Sequence, residues 1–458
     1  MKIKNICCIG AGYVGGPTMA VIAEKCPEIR VTLVDINKKK IDAWNGPINK
    51  LPVYEPGLAE IVDVTRNKNL FFSTDIKSEI DRADMIFMAV NTPTKTQGEG
   101  AGMAADLKYF ISSAESIAKF SKTDKIVIEK STLPVRTAEK VKEVLHKNNK
   151  VGVNFEILSN PEFLAEGTAI QDLYKSDRVL IGGDNTNSGQ RAVEALKNIY
   201  SRWIPEEKIL TTNVWSAELS KLASNAMLAQ RISSINSLSA LCEKTGADIE
   251  ELSKAIGMDS RIGDKFLMPS VGFGGSCFQK DILNLVYLSR YYGLNEVAEF
   301  WHQVVKINNY QKERFADKLI KYHKSRSSNS KIAILGWSFK KNTNDSRESA
   351  AIYIANKIIE NNISINIYDP KVSKDQILKD LSLVSNNTLN ENRVNIFNSL
   401  SESLNDIIAV AILTEWGEFK NYNWKKLGEG IKIFDGRLIV DQKNLNINEY
   451  YCIGKSTL

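Results

Sequence analysis

A chain of 458 residues is too long for a single hydrophobic core and predicts two or three domains. Its composition, 43% hydrophobic and 25% charged, is that of a globular protein, and 60 basic against 54 acidic residues leave a net charge of +6 with the two signs interspersed. That distribution excludes the clustered basic groove a nucleic acid would need, and no stretch is long and apolar enough to be a signal peptide or membrane span.

Lys2 to Ile9 predicts an apolar strand, Pro17 to Glu24 a helix and Arg30 to Ile36 a second strand, a strand–helix–strand unit of about 30 residues. Between the first strand and the helix lies Gly10-Ala11-Gly12-Tyr13-Val14-Gly15. The first glycine allows a tight turn, the second lets a pyrophosphate approach the backbone, and the third lets helix and strand pack closely. A tight turn without a ligand is the plainer alternative. Against it stands Asp35, twenty residues after Gly15 at the end of the second strand. Its carboxylate there would accept hydrogen bonds from a ribose 2′-hydroxyl and repel a 2′-phosphate.

Further strands are expected at Asp84 to Val90, Lys125 to Glu129 and Phe155 to Ser159, with helical stretches between them. Such alternation predicts a parallel sheet covered on both faces. Asn160-Pro161-Glu162-Phe163-Leu164-Ala165-Glu166-Gly167 follows the last of these strands, and proline suits a first helical turn. Glu162 and Glu166 would then lie one turn apart, either as an acid–base pair or as an exposed acidic first turn favoured by the helix dipole. Trp215 to Lys244 lacks Pro and Gly and predicts a long helix. On it Lys221 and Asn225 share a face among small neighbours, which would allow close approach by a ligand but by itself fits solvated surface better.

Ser276-Cys277-Phe278-Gln279-Lys280-Asp281 follows Gly272-Phe273-Gly274-Gly275, and Ile282 to Tyr292 reads as helix. Cys277 therefore sits at a helix start, where exposed amide hydrogens favour thiolate, with Lys280 and Asp281 on the next turn. Cys7 and Cys8 read as strand packing and Cys242 as helix core; Cys26 and Cys452 carry no signal. No CxxC or Cys/His cluster occurs among six cysteines and three histidines, so no metal site is expected and the thiols read as free in a reducing, cytoplasmic setting. Arg261 could bind an anion or cap a loop. A second long helix is expected from Ala298 to Lys324, and Lys324 to Lys331 looks like a linker. A second alternating unit follows, with strands at Ile332 to Leu335, Ile363 to Tyr368, Ile407 to Leu413 and Ile431 to Phe434, and a helix over Ser346 to Glu360.

The segments GAGYVGGPT, FFSTDI, VNTPT, EKSTLPVR, LSNPEFLAEGTAI, DRVLIGGD, ELSKLASNA, GFGGSCFQKD, ILGWSFKKNTNDSRES, IYDPKV and FDGR form an ordered series over nearly the whole chain. The series resembles the UDP-glucose/GDP-mannose dehydrogenase family. Gln279, where bacterial members usually have proline, resembles the branch containing the animal enzymes; Met268 departs from it, standing where those enzymes usually carry lysine. The resemblance implies an α/β fold of two Rossmann-like, doubly wound domains joined by a long central helix. The NAD-binding domain would span 1–214, a central helical and dimerisation domain 215–324, and a UDP-binding domain 325–458.

The resemblance also implies two successive hydride transfers to NAD that convert UDP-glucose to UDP-glucuronate through a cysteine thiohemiacetal and a thioester. Cys277 resembles the nucleophile. Lys221 is similar to the lysine that stabilises oxyanion character at C6 or shuttles a proton, with Asn225 its companion donor. Asp281 would activate or position a water, and Thr132 and Glu162 are the other candidates for proton traffic. Contacts to NAD are implied for Gly10, Gly12, Tyr13, Val14, Gly15, Asp35, Lys40, Asn91, Thr92, Ser131, Thr132, Glu166 and Arg347. Contacts to the UDP-sugar are implied for Glu162, Phe163, Leu164, Glu166, Lys221, Asn225, Arg261, Phe273, Gly274, Phe278, Phe339, Lys340 and Arg437, with Arg261 arriving from a neighbouring subunit. The family assembles as a homodimer at least, and animal forms as hexamers. Oxidation of a different nucleotide sugar, and sugar binding without catalysis, are the competing functions. Lys221, Asn225, Cys277 and Asp281 occurring together speak against the second.

Overall fold

The computed structural model describes residues 2–149, 152–326, 330–385, 389–441, 445 and 449–456; Ser327, Ser328 and Asn329 of the expected linker lie outside this set. The chain divides into two units, Met1–Ser224 and Asn225–Leu458. In the first, eight strands form one sheet: β1 (Asn5–Ile9), β2 (Arg30–Val34), β3 (Leu70–Ser73), β4 (Met85–Met88), β5 (Lys125–Glu129), β6 (Phe155–Ser159), β7 (Val179–Gly182) and β8 (Ile209–Thr212), in the order β3-β2-β1-β4-β5-β6-β7-β8. Every residue of β4 and β5 is buried, which is why both read as unbroken apolar runs bar their ends. One face packs a core around Met19, Ile22, Leu33 and Trp44; the other packs Ile86, Phe110, Val127 and Val141.

The sheet departs from an all-parallel arrangement at one step, where β6 meets β7 antiparallel through Ser159 and Gly182. The helix between them, Ala169–Tyr174, has only six residues. At 1.5 Å per residue it spans about 9 Å, too little to return the chain along a five-residue strand of about 16 Å. The short strands β3, β7 and β8, four residues each, escaped the sequence pattern.

In the second unit six parallel strands, β9 (Lys331–Leu335), β10 (Ile365–Tyr368), β11 (Val394–Ile396), β12 (Ile407–Ile412), β13 (Lys432–Asp435) and β14 (Tyr450–Cys452), run in the order β11-β10-β9-β12-β13-β14. Both sheets therefore reverse winding direction once, at β1/β4 and at β9/β12, and ligands of such sheets bind beyond the strand ends at that point. The long helix Val214–Thr245 has 32 residues, and the helix Asn295–Ser325 has 31.

Two helix starts differ from expectation. The helix expected from Ser346 begins at Ala350: Ser346 Oγ donates to Asp380, Glu348 takes a left-handed φ of +54°, and Ser349 caps the new start by accepting from Ala351 N. The helix expected from Ile282 begins four residues earlier, at Phe278, and Cys277 is its N-cap residue. Among the described residues no helix is long and apolar enough to cross a membrane.

Candidate active site

The first unit's switch point carries the glycine turn. Gly10 sits at φ +111°, and a Cβ built there would lie 2.4 Å from Ala89 O; one on Gly15 would lie 2.1 Å from Gly10 O. Only glycine fits either position. A Cβ on Gly12 would meet nothing within 4 Å. Tyr13 packs against the core, and Val14 heads the helix Gly15–Lys25 with no side-chain cap and no acidic residue in the first turn. The helix amides thus face an open approach, the arrangement a pyrophosphate needs. Asp35, just beyond β2, accepts from Ala11 N at 3.1 Å, Asn37 N at 2.9 Å and Lys40 Nζ at 2.8 Å. Burial opposes its ionisation, but these three bonds outweigh burial and hold its pKa below the usual carboxylate range. The residues present fit a dinucleotide with a free 2′-hydroxyl.

The loops after β4 and β5 meet beside this turn. Thr92 Oγ1 donates to Thr132 O at 3.0 Å, and Ser131 Oγ to Val90 O at 2.7 Å; Asn91 is exposed. Ser131's hydroxyl is thus engaged in joining the two loops.

Asn160 to Thr168 is not helical, so Glu162 and Glu166 do not share a helical turn. The reason is the set of carboxylates that take the loop's N–H groups in place of helical carbonyls. Glu162 Oε1 accepts from Phe163 N and Leu164 N, Asp172 from Ala165 N, and Glu55 from Gly167 N, with Gly167 at φ +85°. Glu162 turns inward and pairs with the buried ammonium of Lys130 at 2.8 Å. Lys130 also donates to Asn160 Oδ1 and Tyr200 Oη, and Tyr200 donates to Asn160 at 2.7 Å. Burial would raise the Glu162 pKa, but the Lys130 charge wins and lowers it. Glu162 is therefore a fixed carboxylate and a weak proton acceptor. The Arg178 guanidinium lies 3.9 Å and the Lys221 ammonium 5.3 Å from the centroid of the Phe163 ring, while Leu164 packs on the core. Lys221 and Asn225, one turn apart on the long helix, are both buried, which corrects the solvated-surface alternative. Glu166 is half-buried in the same loop.

In the second unit Asn225 Nδ2 donates to Asp281 Oδ2 at 2.6 Å, and Asp281, 1% exposed, lies on the first turn of the helix that Cys277 heads. Lys280 Nζ lies 3.7 Å from Asp281 Oδ1. Cys277 is half-buried, with Ser276 Oγ 3.5 Å from its Sγ. Phe273 meets Phe278 edge-to-face at 5.7 Å, and Phe339 covers Gly275, whose Cβ would lie 3.0 Å from that ring. Lys340 lies 5.5 Å over Phe339. Arg437 donates to Leu413 O at 2.7 Å and Phe339 O at 3.1 Å, which ties the loops after β9, β12 and β13 at this sheet's own switch point. Arg261 has 87% of its side chain exposed and pairs with Asp259, and Arg347 pairs with Asp345.

Residues 4–204 match the NAD binding domain, 215–310 the central domain and 333–446 the UDP binding domain of the UDP-glucose/GDP-mannose dehydrogenase family. The chain belongs to this family and binds NAD. It is 55% identical to UDP-glucose 6-dehydrogenase 1 of Glycine max, over 98% of this chain and 97% of that protein. It is 56% identical to UDP-glucose 6-dehydrogenase of Bos taurus, over 99% and 92%. The branch expected from Gln279 thus takes in plant as well as animal sequences. A UDP-glucose dehydrogenase structure from Pyrobaculum islandicum superposes with a TM-score of 0.83 at 28% identity, covering 95% of each chain.

Several residues that build this family member's site carried no role in the sequence. Lys130, Asn160 and Tyr200 lock Glu162; the one available signal was a lysine directly after an apolar strand. Asn308 clamps the glycine loop before Cys277, accepting from Phe273 N at 2.8 Å and donating to Phe273 O at 3.0 Å. It sits mid-helix, where nothing in the local pattern marks it. Asp369 follows β10 as Asp35 follows β2, but its Oδ2 accepts from Trp337 N, Ser338 N and Trp416 Nε1. The second unit's equivalent acid is consumed internally.

Proposed function

We propose that the protein oxidises UDP-glucose to UDP-glucuronate in two steps at one site, with Cys277 as nucleophile. The observation that carries this reading is Cys277 at a helix N-terminus, one turn before a buried Asp281 that Asn225 holds. NAD, held by Gly10, Gly12, Gly15 and Asp35, supplies the hydride acceptor for each oxidation. Cys277 as thiolate adds to the C6 aldehyde carbon, forming a C–S bond and leaving an oxyanion. Lys221 supplies the positive charge that stabilises oxygen at C6. Loss of the second hydride converts the thiohemiacetal to a thioester. Asp281, its orientation set by Asn225, positions the water whose attack breaks the C–S bond, releasing the carboxylate and the thiol. Glu162, held by Lys130, orients substrate, and Thr132, in the loop after β5 that Thr92 joins to the loop after β4, is a further candidate for proton traffic. The residues around Phe273, Phe339 and Arg437 receive the UDP-sugar, and Arg261 reaches it from a second copy.

The division into 1–214, 215–324 and 325–458, a homodimer or larger assembly, and a cytoplasmic setting belong to the same proposal. The last is supported by six cysteines that are all free. Counting products tests the chemistry. About two NADH should form per UDP-glucose consumed, with no free aldehyde accumulating, because one site performs both oxidations. A ratio near one would sink it.

A further inference from the structure

The segment that carries Cys277 is held at its two ends by two adjacent residues, Arg347 and Glu348, that the mechanism above does not use. Gly275 N donates to Arg347 O at 2.8 Å, and a Cβ on Gly274 would lie 2.5 Å from Glu348 O, so the Arg347–Glu348 backbone lies against the glycines before the nucleophile. Glu348 holds φ +54°, a conformation disfavoured for any residue with a Cβ and kept only where surroundings impose it. Its side chain reaches the other end of the segment. Glu348 Oε2 accepts from Gln279 Nε2 at 2.9 Å, two residues beyond Cys277, and from Tyr353 Oη at 2.6 Å. Lys312, 3% exposed, places its ammonium 4.1 Å over the Tyr353 ring and adds positive charge on the same side. Burial pushes the Lys312 amine down to about 8, while Glu348 works the other way.

We infer that Glu348 is a positioning residue for the nucleophile, fixing the Gln279 end of the Gly274–Gln279 segment through its side chain while the adjacent Arg347 carbonyl holds the Gly275 end, with Tyr353 and Lys312 holding the Glu348 carboxylate in place. The inference rests on Cys277 being the nucleophile. A nucleophile displaced by about 1 Å loses up to about a hundredfold in rate while substrate contacts elsewhere persist.

The test uses the full-length protein with NAD and UDP-glucose, reading kcat and KM from NADH formation. Gln279→Ala and Glu348→Ala should each lower kcat about tenfold or more while KM for UDP-glucose moves less than about threefold. The double variant should be no slower than the slower single, since both remove one tie. Glu348→Gln keeps an acceptor oxygen and should recover part of the lost kcat. If Glu348→Ala does not fold, Gln279→Ala tests the same tie from a partly exposed side chain and leaves the strained backbone intact. Wild-type kcat in Gln279→Ala, or losses that multiply in the double variant, overturn the inference. Cys277→Ser run alongside separates the two readings. If it keeps turnover, the nucleophile assignment falls and this inference with it; if it is inactive while Gln279→Ala and Glu348→Ala match wild type, the positioning role alone falls.

Discussion

Six cysteines separate cleanly by environment. Burial pushes up the thiols of Cys7, Cys8, Cys26, Cys242 and Cys452, reaching about 12 for Cys8 and about 11 for Cys26. Each of those five is buried in a core, and Cys277 alone is half-exposed at a helix start. Cys277→Ser should therefore cut steady-state UDP-glucuronate production by about a thousandfold or more with little change in UDP-glucose binding, because serine is a weaker nucleophile and a worse leaving group. Iodoacetamide should modify Cys277 first, and UDP-glucose should protect it. Asp35 belongs to the same scale. Its depressed pKa keeps a negative charge beside the glycine turn throughout the neutral range. We expect kcat/KM for NAD to exceed that for NADP by about a hundredfold, and Asp35→Asn to shrink the ratio. Equal values for both cofactors in the wild type would show that the Lys40 ammonium, 2.8 Å away, cancels the repulsion.

At the scale of elements, the end of β5 meets the first turns of the long helix through two acids. Glu218, 2% exposed, accepts from Arg136 N at 2.7 Å and Ala138 N at 2.8 Å, at the start of the helix Thr137–Lys147. Glu129 is buried beside it; burial first, and the Glu218 charge second, raise its pKa. A raised folded pKa means the native state binds more protons than the unfolded chain, so this contribution is present at low pH and is lost as pH rises above about 4.3 toward the folded value. Glu129→Gln stays neutral and its amide can donate to Glu218. The variant and wild type should melt alike near pH 4, and the variant should gain as pH rises toward 8. Each 1 kcal/mol recovered raises Tm by about 2–4 °C. A variant less stable than wild type at pH 8 would count against a protonated Glu129.

At the scale of the whole molecule, the two long helices leave large apolar side chains in water, with Met227 54%, Leu241 59% and Phe300 57% exposed. Exposed apolar groups of this size on helices of 32 and 31 residues favour a protein partner. Sedimentation at micromolar concentration should show a species at least twice the mass of the chain. A fully active monomer would refute this.

The sequence by itself determined the glycine turn with Asp35, the alternation that builds both sheets, the two long helices and the cysteine at a helix start. Those features are local. Apolar periodicity reports which face of an element is buried, and glycine spacing reports where the backbone must turn tightly or be approached closely. Tertiary structure alone decided which charges meet. Lys130 and Glu162 pair although Lys130 carried no role in the sequence and Glu162 was matched there with Glu166, and Asn225 finds Asp281 56 residues away. The same folding that buries Glu162 removes the helical turn expected at Pro161, because the carboxylates of Glu162, Asp172 and Glu55 take the loop's N–H groups in place of helical carbonyls. Polar pairing depends on which long-range neighbours arrive at hydrogen-bond distance, and that is settled only when the sheets and helices have packed.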